Sequence, residues 1–112
     1  MAVELGYFTL PVPDVARGTR FFSALFGWQF AEIIEAYAHV SNTKLPLGLN
    51  RGNAGDLSTL YFRVEDIESV CAKVRTLGGS AGAIEASSSG RSAVCVDDQG
   101  ARFGVWQAAQ GY

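Results

Sequence analysis

The sequence predicts an α+β fold built from two tandem βαβββ modules, and three observations predict it. Residues 7–27 (YFTLPVPDVARGTRFFSALFG) and residues 59–79 (TLYFRVEDIESVCAKVRTLGG) repeat each other at an offset of 52 positions. Each copy reads strand, Asp, amphipathic helix, glycine. Each is then followed by short strand-like segments separated by turn residues. The register of the repeat pairs Leu10 with Phe62, Val12 with Val64, Asp14 with Asp66 and Val15 with Ile67. Further on it pairs Phe22 with Val74, Leu25 with Leu77 and Gly27 with Gly79.

The first strand is placed at Glu4–Val12, with Leu5, Tyr7 and Thr9 on one face and Phe8, Leu10 and Val12 on the other. Pro11 and Pro13 end it near a sheet edge. Asp14 caps the next helix, whose apolar stripe holds Val15, Phe22, Leu25 and Phe26, and Gly27 supplies a left-handed stop. Strands follow at Trp28–Ile34, Tyr37–Ser41 and Lys44–Asn50, with Asn42-Thr43 as a tight turn between the last two. RGNAGD opens a linker, 51–57, between module one (1–50) and module two (58–112) of a single domain. Ser58–Val64 puts Thr59, Tyr61 and Arg63 on one face and Leu60, Phe62 and Val64 on the other. Asp66 caps a helix with its stripe at Ile67, Val70, Cys71, Val74 and Leu77, ended by Gly78-Gly79. Ala81–Glu85, Ser92–Val96 and Ala101–Gln107 complete the second copy, with SSSG (87–90) and DDQG (97–100) as turns. In both first strands the aliphatic and Phe face is expected to pack on the helices. The mixed face, with Tyr7 and Thr9 or Thr59, Tyr61 and Arg63, is expected to face a ligand.

Size and charge bound the function. At 112 residues, 48% of them apolar, the chain can bury one core but not two independent ones. Net charge is −2, and Lys44, Arg51, Arg63, Lys73, Arg75, Arg91 and Arg102 are scattered, which argues against nucleic acid as a partner. No apolar run reaches bilayer length, and MAVELGYFTL lacks the basic and apolar parts of a secretion signal, so no membrane association is expected. Cys71 and Cys95 sit outside any CxxC or metal spacing and read as buried free thiols, which fits a cytoplasmic location.

The stretch VPDVARGTRFFSALFGWQF (12–30), the stretch VDDQGARFGVWQ (96–107) and the paired βαβββ order together resemble the vicinal oxygen chelate superfamily: glyoxalase I, bleomycin-resistance proteins and extradiol dioxygenases. The resemblance implies a curved, open mixed sheet around a cavity, and a homodimer. It also implies four metal-ligand positions on the first and last strands of the modules. These fall on Tyr7, Thr59, Gly48 and Gly104. Glycine has no ligating side chain, and Thr and neutral Tyr are poor ligands for a catalytic divalent ion. No metal and no other cofactor is therefore expected.

The expected ligand-binding set is Tyr7, Thr9, Gly48, Thr59, Tyr61, Arg63, Gly104 and Trp106. The aromatics would wall a small-molecule site, or fill core or a dimer interface instead. Gly48 and Gly104 would leave room for a bulky planar ligand, or simply mark bends. Arg63 would pair with an anionic group or stay solvated. Trp28 would line the way in or pack under the helix. SSSGR (87–91) reads as a flexible connection over the site. His39 and Tyr7 are the acid–base candidates, although a lone histidine is more often structural. The leading expectation is a metal-independent protein binding an aromatic or hydrophobic small molecule. The alternatives are a lyase, isomerase or dioxygenase of the superfamily, acting through Tyr7 or His39 or a metal at a non-standard site, and a protein-interaction domain.

Overall fold

The computed structural model describes residues 2–112. Nine strands and two helices run in the order β1 (Leu5–Val12), α1 (Val15–Phe26), β2 (Phe30–Ile34), β3 (Tyr37–Val40), β4 (Leu47–Arg51), β5 (Thr59–Arg63), α2 (Ile67–Thr76), β6 (Ser80–Ala81), β7 (Glu85–Ser87), β8 (Gly90–Val96) and β9 (Arg102–Ala108). The fold is α+β, and each half of the repeat is built as strand, helix and further strands. The chain forms two compact units. One is Phe8–Ser58; the other joins the residues up to Tyr7 with those from Thr59 onward.

In the Phe8–Ser58 unit, β1 pairs with β4 in parallel, Phe8 opposite Leu47 and Thr9 opposite Gly48. β4 pairs antiparallel with β3, and β3 with β2. Asp14 accepts a hydrogen bond from the Arg17 N–H at 3.0 Å and so starts α1. Gly27 ends it at φ 70°, donating its N–H to the Ser23 carbonyl. The helix buries Val15 and Gly18, and the missing side chain at Gly18 lets it approach Leu49 and Val12 closely. Ala38, Val40, Leu47 and Leu49 are all buried, on the aliphatic faces of their strands. Leu25 and Phe26, expected on the buried stripe, are 58% exposed. Phe26 instead turns its ring onto Phe22 and Trp28, with centroids 5.8 and 5.2 Å away, so Trp28 packs at the end of the helix.

The connection between β3 and β4 is six residues long rather than a two-residue turn. Pro46 has no N–H to give a ladder, so pairing starts at Leu47. Asn42 is used elsewhere: it accepts from the Gln29 N–H and donates to the Gly27 carbonyl.

In the second unit, β5 pairs in parallel with β9, and β9 antiparallel with β8. The Arg63 N–H donates to the Glu4 carbonyl at 2.9 Å. β8 also carries β6 and β7. The single strand expected at Ala81–Glu85 is thus two. Ala81 opposes Cys95 and Glu85 opposes Ser92, so four steps on one side match three on the other, and the extra residue interrupts the ladder. Val64, Ile67, Cys71, Ala93, Cys95 and Val105 form the core of this unit, with Val70, Val74 and Phe103 packed against them. Asp66 caps α2 through the Ser69 N–H, and Gln107 Oε1 accepts from the Ile67 N–H. Leu77, expected on the stripe, forms the C-cap and is 67% exposed; the left-handed residue after it is Gly78, at φ 96°.

Candidate functional site

In the second unit, strand alternation puts Thr59, Tyr61 and Arg63 of β5 on the face turned away from α2. Gly104 and Trp106 of β9 lie directly opposite Tyr61 and Arg63. Tyr7 joins them, with its ring centroid 6.1 Å from Tyr61 and 5.9 Å from Trp106. The Arg63 guanidinium carbon lies 5.3 Å from the centre of the indole, a cation–π distance. Six of the eight expected site residues therefore share one unit: Tyr7, Thr59, Tyr61, Arg63, Gly104 and Trp106. Thr9 and Gly48 belong to the other unit.

The space beside Gly104 is filled. A Cβ there would meet the Tyr61 ring at 2.4 Å, so the phenol lies on the glycine backbone. Gly6, which sequence reading passed over, does the same for Trp106: a Cβ would come within 3.3 Å of the indole. The indole is 6% exposed, and its Nε1–H donates to the Ser89 carbonyl at 3.2 Å. That carbonyl also accepts from the Ala109 N–H, so the SSSG segment is tied to β9 beside the cluster rather than loose above it. Thr59 is buried, and Tyr7 and Tyr61 are half-buried. Burial raises the Tyr61 phenol above its usual pKa, partly offset by Arg102, so it is neutral and able to donate at pH 7.

In the Phe8–Ser58 unit, His39 of β3 stands opposite Gly48, which in turn opposes Thr9 of β1. The repeat carries Thr9 onto Tyr61, and Tyr61 opposes Gly104; Gly48 and Gly104 are thus equivalent positions in register. Here too the glycine is covered, this time by Tyr37: a Cβ at Gly48 would lie 2.4 Å from its Cε1 and hydroxyl oxygen. Tyr37 itself opposes Asn50, whose buried Oδ1 has no hydrogen-bond partner. Sequence reading missed Tyr37 and Asn50 as site residues. The only available signal was their alternation with His39 and Gly48.

At the four positions to which the family resemblance assigns metal donors, the side chains present are a poor set for a divalent ion. Two of these positions are glycines beneath tyrosine rings, and Tyr7 and Thr59 offer a phenol and a hydroxyl. Among the described residues, no three His, Cys, Asp or Glu side chains come together in a group that could hold a metal.

The profile of the Glyoxalase/Bleomycin resistance protein/Dioxygenase superfamily matches residues 4–103, and the chain belongs to that superfamily. Among curated proteins it is similar to the anthracycline biosynthesis protein DnrV of Streptomyces peucetius, at 29% identity over 90% of this chain and 46% of that protein. The same figures hold for the anthracycline biosynthesis protein DauV of Streptomyces sp. (strain C5). The chain thus spans less than half the length of these relatives. Among solved structures it superposes on a hypothetical protein from Bacillus halodurans C-125 with a TM-score of 0.78 and 9% identity, covering 100% and 99% of the two chains. It also superposes on methylmalonyl-CoA epimerase from Mycobacterium tuberculosis with a TM-score of 0.70 and 14% identity, covering 94% and 87%. At such identities the likeness is one of fold.

Proposed function

We propose that this chain binds a planar aromatic or hydrophobic small molecule without the help of a metal, on the face that carries Tyr7, Tyr61, Arg63 and Trp106. The observation that carries this reading is the aromatic cluster itself, standing where the superfamily's metal positions would place donors. Aromatic walls with a few placed polar groups suit flat organic compounds, and Arg63 adds a positive edge for an electron-rich ring. The anthracycline relatives support a polycyclic aromatic as the ligand class. The reading also includes a homodimer, as the family resemblance implies, which sedimentation would test.

The test is a titration followed by tryptophan fluorescence in a Trp28→Phe background, which isolates Trp106. An anthracycline or a simple naphthol should quench it, and Tyr61→Ala should weaken the binding. Unchanged affinity in Tyr61→Ala, and in Trp106→Phe measured by calorimetry, would reject the site. A second reading, a protein-interaction domain, is favoured by the way the three rings pack on one another and by the low exposure of Trp106. That reading gains if flat aromatics leave Trp106 fluorescence unchanged.

A further inference from the structure

We propose that the exposed aromatic face of α1 is a self-association surface, covered by the same face of a second copy of this chain about a two-fold axis. Phe21, Leu25 and Phe26 form its centre and Arg17 its rim. The inference rests on the homodimer in the reading above and gives that homodimer its interface.

The repeat shows that this face is not ordinary helix surface. At the offset of 52, Phe21 falls on Lys73 and Phe26 on Gly78, both of them exposed. Where the second copy of the repeat keeps a lysine and a glycine, the first places two phenylalanines, 61% and 58% exposed, with Leu25 equally open beside them. Phe22 joins the two rings, its centroid 5.1 Å from Phe21 and 5.8 Å from Phe26, so they form one continuous patch fixed by packing. Large apolar side chains grouped and held in water mark an interaction site.

Two features identify the occupant as a second copy. The first is area. At about 200 Å² for a whole side chain, the exposed parts of Phe21, Leu25 and Phe26 come to roughly 350 Å². With the partly exposed Phe22 and Trp28, the patch approaches the apolar share of a standard interface, which buries about 800 Å² per partner with a little over half of it non-polar. The second is charge. Arg17, Phe21 and Leu25 recur at every fourth residue and share one stripe of α1. Arg17 stands in the first turn, at the positive end of its own helix, and among the described residues it forms no ion pair. The last turn of α1, its negative end, carries no basic residue. Phe21 lies near the midpoint of Val15–Phe26, so an antiparallel crossing there lays each Arg17 along the partner's Leu25. The arginine stem then covers the leucine, and the guanidinium meets the negative helix end that lacks a cation of its own. The same contact is made twice, which is what a closed two-fold pair requires.

The test is sedimentation equilibrium of the full chain beside Phe21→Lys and Leu25→Glu. The native chain should sediment as a dimer, and each substitution should weaken self-association at least about tenfold, as loss of a central anchor does. Both positions are exposed in the single chain, so the variants should keep its far-ultraviolet circular dichroism. Isotope-filtered NMR on a mixture of labelled and unlabelled native chains needs no variant, and contacts between copies should fall on Phe21, Leu25 and Phe26. A dimer whose contacts fall elsewhere, or that survives both substitutions, would overturn this interface and leave the homodimer standing. A native chain that is monomeric at NMR concentration would overturn both.

Discussion

Gly104→Ala is the substitution whose outcome the packing fixes most sharply. The new Cβ would lie 2.4 Å from Tyr61 Cδ1, 2.7 Å from Cε1 and 3.0 Å from Cγ. Contact with Cγ, at the root of the ring, cannot be relieved by moving a flexible tip; the whole phenol must rotate off the strand. Overpacking of this kind costs about 1–3 kcal/mol. Alanine also restrains the unfolded chain more than glycine, which returns about 0.5–1 kcal/mol. The net loss is therefore at most about 2.5 kcal/mol, or a drop of up to roughly 10 °C in melting temperature at about 4 °C per kcal/mol for a chain of this size. In a Tyr61→Ala background the clash is gone, and the same change should stabilise the protein slightly. Thermal or urea unfolding of the four proteins of this double-mutant cycle gives a coupling of about 1–3 kcal/mol if the ring lies on Gly104. Equal effects of Gly104→Ala in both backgrounds would refute the packing, and with it the reading that the Tyr61 ring lies on Gly104.

Other consequences are equally direct. Asp97 accepts hydrogen bonds from the Gln99 and Ala101 N–H groups at 2.8 Å, which lowers its carboxyl pKa below the usual 3.8. A lowered carboxyl pKa adds stability that is present above the unfolded value and lost as pH falls through the folded one. Acid unfolding of Asp97→Asn should therefore show a smaller loss of stability below about pH 4. Burial, with Cys71 alongside, pushes the Cys95 thiol up to about 11. Its contribution is present below the unfolded thiol pKa and lost as pH rises from about 9 toward 11, so folded protein at pH 8 should react with a thiol reagent only as fast as it unfolds. Trp106→Phe deletes the Nε1–H donor to Ser89, and backbone hydrogen exchange at Ala109 and Gly90 should rise, because the Ser89 carbonyl loses one of its two anchors.

The repeat made most of the fold legible. Both Asp caps, both helices and the split between aliphatic and mixed faces follow from spacing alone, because helix and strand periods differ and capping has its own chemistry. What spacing does not encode is how far a helix surface is covered, so Leu25, Phe26 and Leu77 were read as buried and are exposed. Nor does spacing place bulges: Gly82 inside the expected Ala81–Glu85 strand is a bulge signal, but the alternation of its neighbours does not fix where the extra residue falls. At the candidate site, the pattern placed Tyr61, Arg63, Gly104 and Trp106 on one face. For the glycines it left two readings, room for a ligand or a bend in the strand. That a tyrosine lies on each glycine, from β5 in one unit and β3 in the other, depends on side-chain direction between strands. Tyr37 and Asn50 stayed hidden for the same reason, since cross-strand partners cannot be read from one strand.

The central claim, binding of a flat aromatic without a metal, is tested most directly by the dissociation constant of 2-naphthol measured with and without EDTA. The account predicts the same constant in both conditions, and weaker binding in Tyr61→Ala. Binding lost in EDTA and restored by Zn, Mn or Ni would contradict it.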